Sequence, residues 1–286
     1  MNISLNENLA KKKRRFFKVD TQQKPLYTDL KSSKSSCVLE LKDVTKSFGG
    51  LVAVGSASLA FSKGKITGLI GPNGAGKTTV FNLITGFLKP DSGIICFNGY
   101  TINGRPPWQI AQLGIGRLFQ DVRVFDKLTA LENVLLAKKE QPGENPLVSL
   151  LRRKSALDAE EKNMDEAKKW LKFVELEEKE DSLAENLSYG QQKLLAIARL
   201  LAGGFEVLLL DEPTAGINPQ MVKSVLDVIR RLAQEGKTVV VIEHNMSVIM
   251  EISDWVYFMD EGKVVTFGLP KEILGDPEVR KAYLGI

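Results

Sequence analysis

Hydrophobic positions begin to recur in order at Cys37. "CVLELKDVTKSF" and "LVAVGSASLAFSKGKITGLIG" alternate or run apolar at strand spacing, and "SGIICFNG" is a further short apolar run bounded by glycines, so the opening lobe is predicted to be strand-rich. From about Leu128 to Glu185 the spacing changes to that of helices. "TALENVLLAKK" starts with Thr129 and Glu132 at the offset of a capping box, and Met164, Ala167, Leu171 and Val174 recur every three or four residues, as one helix face does. Between these stretches "EQPGENPLVSLLRR" reads as a Pro/Gly loop with a short apolar turn. Further on, "FEVLLLD" and "KTVVVIE" are continuous apolar runs separated by the helical "PQMVKSVLDVIRRLAQEG". Strands that are apolar on both faces belong in a parallel sheet covered by helices, so the predicted class is α/β. No repeat of 20 to 50 residues is present.

With 286 residues, 43% of them hydrophobic, the chain can bury a substantial core, which excludes fibrous and disordered classes. No apolar run approaches the roughly 18 to 20 residues of a membrane span, and no apolar segment follows the basic N-terminus, so a cytosolic-type soluble protein is expected. Cys37 and Cys96 fit neither a disulfide nor a zinc spacing and are read as small core side chains. The net charge of +4 is unevenly spread: residues 1–36 hold nine Lys or Arg against three Asp or Glu, whereas the remainder holds 30 against 32. Those first residues, polar, basic and without periodicity, read as a disordered, solvated tail, although "KKKRRFF" has the composition that also touches anionic lipid or nucleic acid.

The sharpest chemical signal is "GPNGAGKTT", Gly71 to Thr79, which fits G-x-x-x-x-G-K-[ST] and stands between the strand "KITGLI" and the helical "TTVFNLITGF". In Gly71, Pro72, Asn73, Gly74, Ala75 and Gly76 the glycines let backbone amides curl round phosphate oxygens. Lys77 supplies a cation, Thr78 a hydroxyl for Mg²⁺, and the helix start at Thr78 and Thr79 a favourable dipole. A phosphate loop needs a metal partner and a group that activates water. "VLLLDEP" offers both at the end of a strand: Asp211 as a Mg²⁺ ligand and Glu212 to polarise the water. His244, the only histidine, follows Glu243 at the end of the neighbouring apolar strand, where it can sense a terminal phosphate.

"LSYGQQ", Leu187 to Gln192, places Ser188 and Gln191 at a second capping-box offset, so a helix is predicted from Ser188 to the glycines at 203 and 204. Its start has a hydroxyl, free amides and Gly190, features of an anion site as well as of an ordinary cap. If two such sites cannot converge in one molecule, a head-to-tail dimer brings them together.

At these residues the sequence resembles the ATP-binding cassette family of transport ATPases, from about Val38 to Ile286. "GPNGAGKTT" looks like its Walker A motif, "VLLLDE" its Walker B, "LSYGQ" its signature, Gln120 in "GIGRLFQ" its Q-loop glutamine, "AGIN" its D-loop and His244 its switch histidine. Phe48 in "TKSFGG" resembles the aromatic that stacks on adenine. Two positions depart from the common pattern: Tyr189 stands for the first signature Gly, and Asn218 for a D-loop Asp. Both departures, the insertion "NPLVSLLRRKSALDAEEKNMDEA" and the ending "PEVRKAYLGI" look like the branched-chain amino-acid importer subgroup.

The resemblance implies a P-loop NTPase (RecA-like) core in residues 37–286. An antiparallel β subdomain and a helical subdomain over about residues 121–190 are expected within it. It also implies ATP and Mg²⁺ as ligands, with Thr78, Gln120 and Asp211 toward the metal, and Glu212, Gln120 and His244 as catalytic residues. Ser188, Gly190 and Gln191 would complete the nucleotide site of a second cassette. Expected partners are transmembrane permease subunits, docking partly on residues 120–128, and a solute-binding protein; no nucleic acid is expected. The implied place is the cytoplasmic face of the inner membrane. Alternatives are a lipopolysaccharide- or lipid-export ATPase, a urea or amide system, and a soluble non-transport cassette. A GTPase is disfavoured because neither Asp-x-x-Gly nor Asn-Lys-x-Asp occurs.

Overall fold

The apolar runs of the first lobe fold as a long hairpin, β1 (Cys37–Phe48) and β2 (Leu51–Ser62), with antiparallel pairing interrupted by bulges. The other edge of β1 pairs antiparallel with β4 (Ser92–Phe97), itself bordered by β5 (Tyr100–Thr101), giving the sheet order β2-β1-β4-β5. Strand β3 (Ile66–Ile70) leaves this sheet and enters a second one, ordered β10-β9-β3-β8-β7-β6. Its remaining members are β6 (Ile115–Leu118), β7 (Val207–Asp211), β8 (Thr238–Ile242), β9 (Trp255–Asp260) and β10 (Lys263–Gly268). All neighbours in it run parallel except the edge strand β10. The structure is a computed structural model that describes residues 37–138 and 153–284. The basic tail and most of the Pro/Gly loop lie outside the described residues.

Residues of β3, β7 and β8 are buried throughout, because the central sheet is covered on both faces. Val207 and Leu209 face a core shared with the first sheet and with helix α1 (Lys77–Ile84). The alternate residues Leu208 and Leu210 face the opposite core, built largely from helices α5 (Tyr189–Ala202), α6 (Pro219–Gln234) and α7 (Met246–Ile252). Helix α2 (Pro107–Leu113) precedes β6, and α8 (Pro270–Gly275) and α9 (Pro277–Leu284) close the chain.

The helical stretch comprises α3 (Ala130–Leu135), α4 (Arg153–Phe173) and two 3₁₀ turns, Glu177–Lys179 and Ala184–Asn186. Thr129 and Glu132 form the predicted reciprocal cap. Of the predicted α4 face, Ala167 and Leu171 are buried, as is Val174 just beyond its end, whereas Met164 is exposed because that earlier part of the helix extends past the core. The cysteines are not core residues: Cys37 opens β1 and is exposed, and Cys96 is half-buried. The alternation of β4 turns Ile95 and Phe97 inward and leaves Cys96 on the outer face. Among the described residues no helix is long and apolar enough to cross a membrane.

Candidate functional site

The loop 71–76 connects the fully buried β3 to α1, and its glycines answer two different steric demands. A Cβ on Gly71 would lie 2.0 Å from the Met259 carbonyl oxygen, and one on Gly76 2.3 Å from that of Ala53. Gly74, with φ of 84°, has open space where its Cβ would be, so the backbone itself forms the wall of the cradle. Gly76 offers no side-chain cap to α1, which leaves the first-turn amides of that helix directed to whatever occupies the cradle. Lys77 lies across the loop, donating from Nζ to the carbonyls of Gly71 at 2.7 Å and Pro72 at 2.8 Å. Burial pushes its ammonium pKa down, opposed by the carboxylates of Glu212 and Asp211.

Residues Asn73 to Thr79 line a cleft of about 390 Å³ together with Ala53, Gln120, Glu212, Ile242 and His244, whereas Gly71, Pro72 and Asp211 are not part of its lining. Parallel pairing places the ends of β7 and β8 side by side, with Asp211 opposite Ile242, so Glu212 and His244 emerge next to each other. His244 Nε2 is 2.5 Å from Glu212 Oε1, and Gln120 Nε2 donates to Glu212 Oε2 at 3.0 Å. Glu212 has φ of 49°, a left-handed conformation that costs a non-glycine residue on the order of 1 kcal/mol. Its amide donates to Ile242 O at 2.9 Å, and Lys193 Nζ donates to its carbonyl at 2.7 Å.

Asp211 is buried, and one of its oxygens is already engaged: Arg117 Nη2 stands 2.7 Å from Oδ2. The same guanidinium donates to Asn82 Oδ1 at 2.6 Å and lies over the Phe119 ring, 4.6 Å from its centroid. Sequence reasoning did not single out Arg117. The available signal was a cation inside the short apolar strand preceding Gln120, a position that demands a buried anion.

The other expected positions do not line the cleft. Phe48 ends β1 half-exposed, with Lys46 Nζ 5.5 Å from its ring centroid. Ser188 caps α5, accepting from Gln191 N at 3.3 Å while Gln191 Oε1 accepts from Ser188 N at 2.9 Å. Gly190 is buried, and its missing Cβ makes room inward, since an added one would meet Met221 Cγ at 2.2 Å. Asn218 caps α6 by accepting from Met221 N at 2.9 Å. The cradle of amides and a buried ammonium suits a polyphosphate. The hydroxyl of Thr78, the amide oxygen of Gln120 and the carboxylate of Asp211 are hard oxygen donors of the kind Mg²⁺ takes.

Comparison with known proteins agrees with this chemistry. The family profile described as ABC transporter matches residues 54–215. The high-affinity branched-chain amino acid transport ATP-binding protein LivG of Salmonella typhimurium is 41% identical over 252 residues, covering 88% of this chain and 99% of that protein. The ADP conformation of MJ1267, an ATP-binding cassette of an ABC transporter, superposes with a TM-score of 0.76 at 35% identity, over 88% of this chain and 100% of the other. A dimeric post-hydrolysis state of the cassette MJ0796, bound to ADP and Pi, matches with a TM-score of 0.66 at 28% identity, over 81% of this chain and 98% of that one.

Proposed function

The chain belongs to the ABC transporter family, and we propose on that premise that it is the ATP-hydrolysing subunit of a complex that imports branched-chain amino acids. Its ATPase activity and its transport role follow from membership and from the likeness to LivG. The observation that carries the catalytic reading is the meeting of Lys77, Gln120, Glu212 and His244 in one cleft.

In this reading Gly71 to Thr79 grip the phosphates of ATP, Lys77 exchanging its carbonyl partners for phosphate oxygens. Thr78, Gln120 and Asp211 would hold Mg²⁺, which neutralises charge on the outer phosphates. Arg117 fixes the orientation of Asp211 and leaves its second oxygen for that role. Glu212 accepts a proton from the water that attacks the γ-phosphorus, and the bond to the ADP oxygen breaks. Gln120 and His244, bonded to its two oxygens, hold the carboxylate in place and contact the terminal phosphate.

Ser188, Gly190 and Gln191 stand outside this cleft, so they serve the pocket of a second cassette in a head-to-tail pair; the dimeric MJ0796 structure supports that assembly. Phe48 stacks on the adenine. Permease subunits dock along residues 120–128, a solute-binding protein delivers the amino acid, and the subunit sits on the cytoplasmic face of the inner membrane. Glu212→Gln should bind Mg²⁺–ATP normally while turnover falls about 100- to 10,000-fold, as expected for loss of a general base. Radiolabelled ATP binding and phosphate release measure the two quantities, and normal turnover would remove Glu212 from its role. Uptake of leucine, but not urea, by proteoliposomes of the purified complex tests the substrate.

A further inference from the structure

One chain holds two parts of the proposed chemistry that do not share a cleft: Ser188 at the start of α5, and Gln120 with Glu212 at the ends of β6 and β7. A ring of contacts joins them. Tyr189 Oη donates to the Gln120 carbonyl at 3.3 Å, and Gln120 Nε2 donates to Glu212 Oε2 at 3.0 Å. One helical turn along α5, Lys193 Nζ donates to the carbonyls of Glu212 and Ala215, both at 2.7 Å, and stands 5.2 Å from the Tyr189 ring centroid. The Tyr189 ring also lies against Gly216, whose Cβ would approach it to 3.3 Å.

The two side chains have the attributes of a mechanical link. Lys193 is 1% exposed, and a buried ammonium is costly unless its donors are met, so its attachment to those carbonyls is strongly fixed. Burial pushes its pKa down, and the carboxylates of Glu243 and Glu212 oppose the fall. With Ile242 O on its amide and Lys193 on its carbonyl, the left-handed peptide at Glu212 is held from both sides. Tyr189, in contrast, is 41% exposed, so its hydroxyl fixes the Gln120 segment without belonging to the core.

We propose that Tyr189 and Lys193 are positioning residues that couple the start of α5 to the catalytic turn, so that phosphate engaged by Ser188 in a neighbouring cassette's pocket sets the placement of this chain's own Gln120 and Glu212. The inference rests on the head-to-tail reading above. Tyr189, where the family commonly has glycine, thereby transmits the position of the helix to the Q-loop backbone.

The test uses the full chain with its cognate complex, in which kcat, KM and the Hill coefficient for ATP are measured for Tyr189→Phe, Lys193→Met and Lys193→Arg, with Tm alongside. Tyr189→Phe should lower kcat about two- to tenfold, the loss of one hydrogen bond, and move the Hill coefficient toward one, leaving Tm and nucleotide affinity unchanged. Lys193→Met should lose both properties and Lys193→Arg recover them. Wild-type kcat and cooperativity in Tyr189→Phe and Lys193→Met, or losses that follow Tm and are not rescued by Arg, overturn the coupling role. A Glu212→Gln chain, free of permease subunits, that Mg²⁺–ATP fails to pair with a second cassette overturns the two-cassette reading itself and the coupling with it, a failure visible by mass and separate from any kinetic result.

Discussion

The chemistry of single residues here depends on partners drawn from distant parts of the chain. Asp211 and Arg117 are buried to 6% and 5% side-chain exposure and face each other across neighbouring parallel strands. Such a pair contributes modestly as a whole, but its disruption strands a largely buried charge. Arg117→Met should therefore destabilise the fold by about 3–5 kcal/mol, read as a lowered midpoint in urea. Adding Asp211→Asn should restore part of the loss, because the stranded charge is then gone; strict additivity of the two would contradict the pairing. Lys77, Glu212 and His244 were legible from local motifs, since Gly spacing, a strand end and a unique histidine are all short-range signals. Arg117 was not, because its anion lies 94 residues away and only the strand order reveals it.

Elements were legible where periodicity or end signals were strong. The capping boxes at Thr129 and Ser188, the β7–α6–β8 unit and the phosphate loop each combine a pattern with a boundary, and each forms as expected. The order of strands, the antiparallel edge β10 and the outward placement of Cys96 and Met164 depend on tertiary packing that no local pattern encodes. Asn133 shows how much one such contact organises. Fully buried in α3, it accepts from Phe125 N at 2.8 Å and donates to the carbonyls of Phe125 and Thr129, both at 3.0 Å, so it fixes the end of the segment that follows Gln120. Asn133→Leu fills similar space but leaves the Phe125 amide unpaired, while the Phe125 and Thr129 carbonyls keep the amides of Leu128 and residue 133, and stability should fall by roughly 1–3 kcal/mol in urea titrations. Hydrogen exchange at the Phe125 amide should rise more than at the central strands; uniform change across the chain would argue against a local staple.

At the scale of the whole molecule, the central sheet divides the protein into two cores and carries the phosphate loop, Glu212 and His244 at the same end of adjacent parallel strands. Helix α5 packs into the second core, yet its capped start presents Ser188 away from that cleft. One chain thus supplies a nearly complete phosphate cradle and, elsewhere, a second set of groups of the kind that meets phosphate. In the proposed head-to-tail pair the two become one site, and ATP would drive that closure. The most direct test is the mass of the Glu212→Gln chain, alone and mixed with its cognate cassette, by size-exclusion chromatography with light scattering. With Mg²⁺–ATP a particle holding two cassettes is expected, which disperses when ATP is withheld or when Ser188→Arg is added. A single 31.6 kDa chain in every mixture, with ATP bound, would contradict it.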